Sequence, residues 1–130
     1  MIGGGFKMEY VSTKNAPNAI GPYSQATISN GFLFSSGQIA LNPITNKVEA
    51  NTIEAQTTQV CENWKAVCKA AGTDITKTVK TVCYLADMND FASFNEIYSK
   101  YFTEKPARSC VAVKTLPKGV LCEIELIAEI

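Results

Sequence analysis

Leu121-Cys122-Glu123-Ile124-Glu125-Leu126-Ile127-Ala128-Glu129 alternates almost without interruption. Cys122, Ile124, Leu126 and Ala128 fall on one side of an extended chain, and Glu123, Glu125 and Glu129 fall on the other. This strand has one face for a core and one acidic face. Just upstream, Leu116-Pro117-Lys118-Gly119 has the residues of a tight turn. Before the turn, Ala107 to Val113 is a second, β-branched strand, entered through Pro106. Period-2 alternation puts Arg108, Cys110 and Ala112 on one side of it and Ser109, Val111 and Val113 on the other. A guanidinium on an apolar strand needs an anion. Two anions are open to Arg108: a protein carboxylate in a surface ion pair, or a bound acid. Glu123, the glutamate of the last strand deepest from the terminus, is expected beside the Arg108 strand and is the candidate for an arginine-carboxylate site.

Further toward the N-terminus, Phe91, Phe94, Tyr98, Tyr101 and Phe102 recur at helical spacing and predict a helix capped at Asn89 or Asp90 and ended before Pro106. Thr78 to Leu85 is a β-branched strand. Ile53, Val60, Trp64, Val67 and Ala71 predict a long helix over Thr52 to Ala71, with Asn51 and Glu54 as the cap pair and Gly72 as the stop. Gly37 to Asn51 is a loop with one short strand expected around Lys47 to Glu49. Tyr23 to Ile28 and Phe32 to Ser36, joined through Asn30-Gly31, predict a β-hairpin at the start of the domain. The order is β-β-α-β-α-β-β, an α+β arrangement. Two helices suffice for one face of a mixed sheet of about five strands, so the other face calls for a second copy of the chain.

Composition narrows function. At 130 residues and 46% hydrophobic content there is material for one core, and residues 9–130 are read as a single domain. Residues 1–8, glycine-rich at the start, are expected to be a flexible leader or a cloning scar. Lys plus Arg and Asp plus Glu both total 12, which disfavours generic nucleic-acid binding. No apolar run approaches the roughly 18 residues of a membrane helix and no signal-peptide core opens the chain, so the expected location is cytoplasmic, with mitochondria as the alternative. Five cysteines without a C-x-x-C pair argue against a disulfide framework or a zinc site; Cys61 and Cys68 share a helix face and are expected to be buried thiols. There is no histidine, which removes Ser-His-Asp, Cys-His and histidine-metal chemistry. Catalysis is left to carboxylate, guanidinium, phenol, hydroxyl, thiol, backbone and water.

Four separated motifs, Gly21-Pro22-Tyr23-Ser24-Gln25, Ser35-Ser36-Gly37-Gln38-Ile39, Pro106-Ala107-Arg108-Ser109-Cys110-Val111 and Cys122-Glu123-Ile124-Glu125, together with Leu85 to Phe91, resemble the reactive intermediate deaminase family, RidA-like, also called the YjgF or L-PSP endoribonuclease family. The resemblance runs from about Asn15 to Ala128. It implies a chorismate-mutase-like α+β fold, a homotrimer with its sheets packed inward, and sites in the clefts between subunits. It also implies hydrolysis of 2-imino and enamino acids such as 2-aminoacrylate to 2-keto acids and ammonia, without metal or cofactor. Arg108 carries over as the carboxylate clamp and Glu123 as the residue that positions water. Tyr23, Ser36 with Gly37, and Cys110 match the remaining pocket positions. The chemistry is self-consistent, because a guanidinium fork orients a carboxylate bidentately and an imine carbon needs only a placed water and a proton acceptor. Cys110 is read as pocket wall, with a nucleophilic or redox role as the alternative. The competing functions are an endoribonuclease or translation inhibitor, and a non-catalytic trimer that binds small acids or acts as a chaperone.

Overall fold

The computed structural model describes residues 7–130. Residues 1–6 of the expected leader lie outside the described residues, and Lys7 and Met8 are exposed and irregular. The expected order is present with one addition. Strand β1 (Glu9–Val11) precedes the hairpin strands β2 (Ala26–Ser29) and β3 (Phe32–Ser35), followed by α1 (Ile53–Ala70), β4 (Thr78–Leu85), α2 (Phe91–Tyr101), β5 (Ala107–Ala112) and β6 (Cys122–Glu129). At three residues, β1 is too short to carry an alternation pattern, which is why the sequence predicts about five strands and the sheet has six. The hairpin turns through Asn30 and Gly31, both at positive φ (52° and 84°), as an Asn-Gly turn requires. Helix α1 is capped by Thr52, whose hydroxyl accepts from Ala55 N–H at 3.1 Å, so the cap falls one residue later than the expected Asn51. The short strand expected at Lys47 to Glu49 amounts to one bridge between Leu41 and Val48.

The sheet order is β1-β2-β3-β6-β4-β5, antiparallel except for the parallel pair β4 and β5. Both helices pack on one face. Trp64, Val60 and Val67 of α1 and Phe94 and Tyr98 of α2 close over Leu33, Cys83, Leu85, Ile124 and Leu126 in one core cluster. Cys61 and Cys68 are buried there, as their shared face predicts. The opposite face carries Tyr10, Phe32, Phe34 and Val111, all exposed, with Val111 at 48%. Strand β5 is an edge.

This order corrects one expectation. Glu123 is not on a strand beside Arg108, because β4 runs between β6 and β5. The turn through Pro117–Gly119 does not close a hairpin; β5 instead pairs parallel to β4, fed by the α2 crossover.

Candidate functional site

The predicted site residues separate into two groups on opposite faces of the sheet. Arg108 lies opposite Thr81 and Cys110 opposite Cys83, and Thr81 and Cys83 are fully buried beneath the helices. Arg108 and Cys110 therefore project on the helix side. Glu123 pairs with Tyr84 and Glu125 with Val82, on the face away from the helices.

Arg108 has no carboxylate partner among the described residues; the ion pair found there joins Lys65 and Glu62 on α1. Its guanidinium carbon stands 4.7 Å from the centre of the Tyr98 ring and 5.3 Å from that of Phe91, and Nη1 donates to Asn95 Oδ1 at 2.6 Å. The two rings and the amide fix the direction of the fork while leaving its charge uncompensated. Tyr98 is fixed in turn by a 2.7 Å hydrogen bond between its hydroxyl and that of Thr81. Asn95 escaped the sequence reading, although its position four residues after Phe91 and three before Tyr98 put it on the aromatic stripe. Cys110 beside Arg108 is half-buried, and burial pushes its thiol up against the opposing pull of the guanidinium. Its neighbour Cys83 is pushed up to about 12 by burial. A raised pKa works against the thiolate form at both positions.

The second group gathers in a cleft of about 320 Å³, lined by Tyr23, Ser36, Gly37, Gln38, Lys118 and Glu123 among others. Strand β3 ends at Ser35, and the chain then crosses to β6 through a single bridge between Gln38 and Ile124, which lays Gly37 beside Glu123. A Cβ at Gly37 would overlap Glu123 Oε2 and stand 2.8 Å from the carboxyl carbon, so only glycine leaves this carboxylate its place. Burial and then Glu125 push the Glu123 carboxyl above its ordinary range. No side-chain or backbone donor reaches Glu123 among the described residues, whereas Glu125 accepts the Tyr84 hydroxyl at 2.7 Å. Ser36 donates its hydroxyl to Ser24 O at 2.5 Å, and the Tyr23 hydroxyl accepts Ile20 N–H at 3.3 Å. Gln25, part of the Gly21–Gln25 motif but given no role there, is buried and ties the cleft rim down: its Nε2 donates to Thr13 O and Pro17 O, and its Oε1 accepts Thr13 N–H.

One chain thus brings together Tyr23, Ser36, Gly37 and Glu123, and holds Arg108 and Cys110 apart from them. A larger depression of about 770 Å³ lies over the outer surface of the helices and contains none of the predicted site residues. Its carboxylates are already engaged, Glu62 by Tyr101 and Lys65, and Asp74 by the backbone and hydroxyl of Thr76. Among the described residues there is no helix long and apolar enough to cross a membrane and no group of His, Cys, Asp or Glu arranged to hold a metal.

Comparison with known proteins gives a consistent picture. The family model described as Endoribonuclease L-PSP matches residues 13–130. The chain is 52% identical over 121 residues to a RutC family protein of Pyrococcus horikoshii, covering 92% of this chain and 96% of that one. It is 47% identical over 122 residues to the 2-iminobutanoate/2-iminopropanoate deaminase of Escherichia coli, covering 91% of this chain and 94% of the relative. Among solved structures, Escherichia coli TdcF with bound serine superposes with a TM-score of 0.88 at 40% identity, over 94% of this chain and 98% of that one.

Proposed function

The chain belongs to the endoribonuclease L-PSP family, whose members include RidA and YjgF proteins, and from that premise we propose that it hydrolyses 2-imino and enamino acids to 2-keto acids and ammonia in a cleft completed by a second subunit. The observation that carries this reading is the Glu123 carboxylate: half-buried, without a donor, and seated against a glycine in a small cleft. Burial that raises its pKa makes it a better proton acceptor near neutrality. The deaminase name of the Escherichia coli relative and the serine held by TdcF point to small amino-acid-derived acids as the ligand class.

The steps balance without a cofactor. Water adds to the carbon of the N-protonated imine and passes a proton to Glu123, giving a neutral carbinolamine. Glu123 returns that proton to nitrogen, the C–N bond breaks, and the carbinolamine hydroxyl gives its own proton back to Glu123 as the C=O forms, leaving the keto acid; the departing ammonia takes the proton from Glu123 and leaves as ammonium. An enamine first takes a proton at carbon to become the imine. Arg108 binds the substrate carboxylate through its fork, oriented by Tyr98, Phe91 and Asn95. Because Arg108 and Glu123 sit on opposite sides of one sheet, the arginine reaching a given Glu123 comes from a neighbouring subunit. The exposed apolar face and the open β5 edge supply the contact surface, and a homotrimer is the assembly proposed.

The test supplies imine from an amino-acid oxidase, or 2-aminoacrylate from a dehydratase, and follows its disappearance. Wild type accelerates the decay and Arg108→Ala does not. Equal decay with wild type, Arg108→Ala and no protein sinks the assignment.

A further inference from the structure

Two adjacent residues of α1 reach the wall of the Glu123 cleft from the core side. Asn63 is only 1% exposed. Its Nδ2 donates to Leu41 O at 3.0 Å and Ile39 O at 3.4 Å, and its Oδ1 accepts Gln59 Nε2 at 2.9 Å. Trp64, fully buried, donates its indole N–H to Ile124 O at 2.8 Å. That same carbonyl accepts Gln38 N–H at 2.9 Å, and Ile124 N–H donates back to Gln38 O at 3.1 Å.

The strip from Gly37 to Leu41 belongs to no strand and touches β6 through that one bridge. Its cleft side carries Gly37, Gln38, Ile39 and Leu41, and its core side rests on Asn63. Gly37 approaches Glu123 so closely that a small shift of the strip changes how much room and how much water the carboxylate has. Within the strip Leu41 N–H donates to Ile39 O at 2.8 Å, so the carbonyl that relies on Asn63 is that of Leu41; a buried carbonyl deprived of its donor is costly, so the amide at position 63 decides where this end of the strip lies.

We infer that Asn63 and Trp64 are positioning residues that hold Gly37–Leu41 against β6 and thereby fix the seat of the Glu123 carboxylate. The inference rests on the hydrolytic role proposed for Glu123. It differs from a general stapling of α1 to the sheet, which predicts loss of stability alone.

The experiment compares Asn63→Leu with Val67→Ala, one turn further along α1 in the same core cluster and outside the cleft lining. Each protein is measured for imine hydrolysis, for melting temperature, and for titration of the Glu123 carboxyl by carbon-13 NMR. The titratable and charged groups that face or flank that carboxyl, Glu125 on β6, Tyr84 on β4, Tyr23 on the cleft wall and Lys118 in the turn before β6, are unchanged in every variant. Val67→Ala melts lower but keeps kcat and the Glu123 titration. Asn63→Leu loses about 10-fold or more in kcat with KM within about twofold. Its Glu123 titration moves down by about 0.5 pH or more as water enters beside the loosened strip. Trp64→Phe keeps most of the ring packing and loses about threefold in kcat with the same direction of titration, which decides the matter if Asn63→Leu does not fold. Asn63→Leu or Trp64→Phe proteins that match Val67→Ala in both kcat and titration overturn the inference. A wild type that fails to hydrolyse imines, with Glu123 still shifted in the two α1 variants, sinks the proposed reaction and leaves the positioning role standing.

Discussion

The Glu123 cleft and the Arg108 strand solve opposite problems with the same economy of charge. At Glu123 a carboxylate is seated by the absence of a side chain, Gly37, and is left without a donor, so burial raises its proton affinity. At Arg108 a guanidinium is seated by the presence of side chains, two aromatic rings and one amide, and none of them neutralises it. On the proposed reading one region is a base and the other an anion receptor. Each is incomplete, and the sheet between them keeps them from completing each other within one chain.

Removing the arginine has the largest effect expected. Arg108→Ala deletes the only group proposed to hold the substrate carboxylate, and imine hydrolysis in the coupled assay falls by about 10²-fold or more. Glu123→Gln falls comparably, about 10² to 10⁴-fold, because the amide accepts no proton. If only one of the two substitutions affects the rate, the two regions do not share a reaction. Gly37→Ala comes next. The new methyl displaces the carboxylate, and kcat drops about 10-fold while Arg108-dependent binding, read as KM, holds within about twofold.

Smaller effects separate the regions by their thermodynamics. The folded-state pKa of Glu123 lies above its unfolded value, so the protonated form is the one folding favours. The stability this contributes is complete below the unfolded pKa and is lost as pH rises through the folded one. Glu123→Gln therefore melts higher than wild type at pH 7, and the difference closes as pH falls toward about 4.3, the ordinary glutamate value. A melting difference that is constant with pH breaks the claim that the carboxylate is held at a cost. Smallest of all is Cys110→Ser. With its thiol pushed up by burial, Cys110 is expected to line the pocket rather than attack, and the serine variant keeps imine hydrolysis within about threefold.

The two regions also differ in how much of them could be read from sequence. The alternation of Cys122 to Glu129 and the β-branched run of Thr78 to Leu85 placed both strands almost to the residue, because side-chain period is a local property. Motifs along the chain likewise brought Tyr23, Ser36, Gly37 and Glu123 to attention, and the chain folds them into one cleft. Strand order is a different matter. Nothing local in Ala107–Ala112 says that it pairs parallel to β4 rather than antiparallel to β6, so the expected closeness of Arg108 and Glu123 was wrong. Asn95 and Asn63 were invisible, and Gln25 appeared only inside a motif with no role, for a related reason. Each is a polar residue whose importance comes from partners 8 to 24 positions away along the chain, and single-sequence patterns carry no such pairing. The face of Arg108 was legible, but not that the helices would cover it.

The central claim, that Arg108 and Glu123 act together only across subunits, is tested most directly by mixing two inactive proteins. Arg108→Ala and Glu123→Gln are unfolded together in equal amounts, refolded, and assayed for imine hydrolysis beside each variant refolded alone. In randomly assembled oligomers an interface pairs an intact Arg108 with an intact Glu123 in about one case in four, so the mixture recovers about a quarter of wild-type activity. A mixture as inactive as its components contradicts the account.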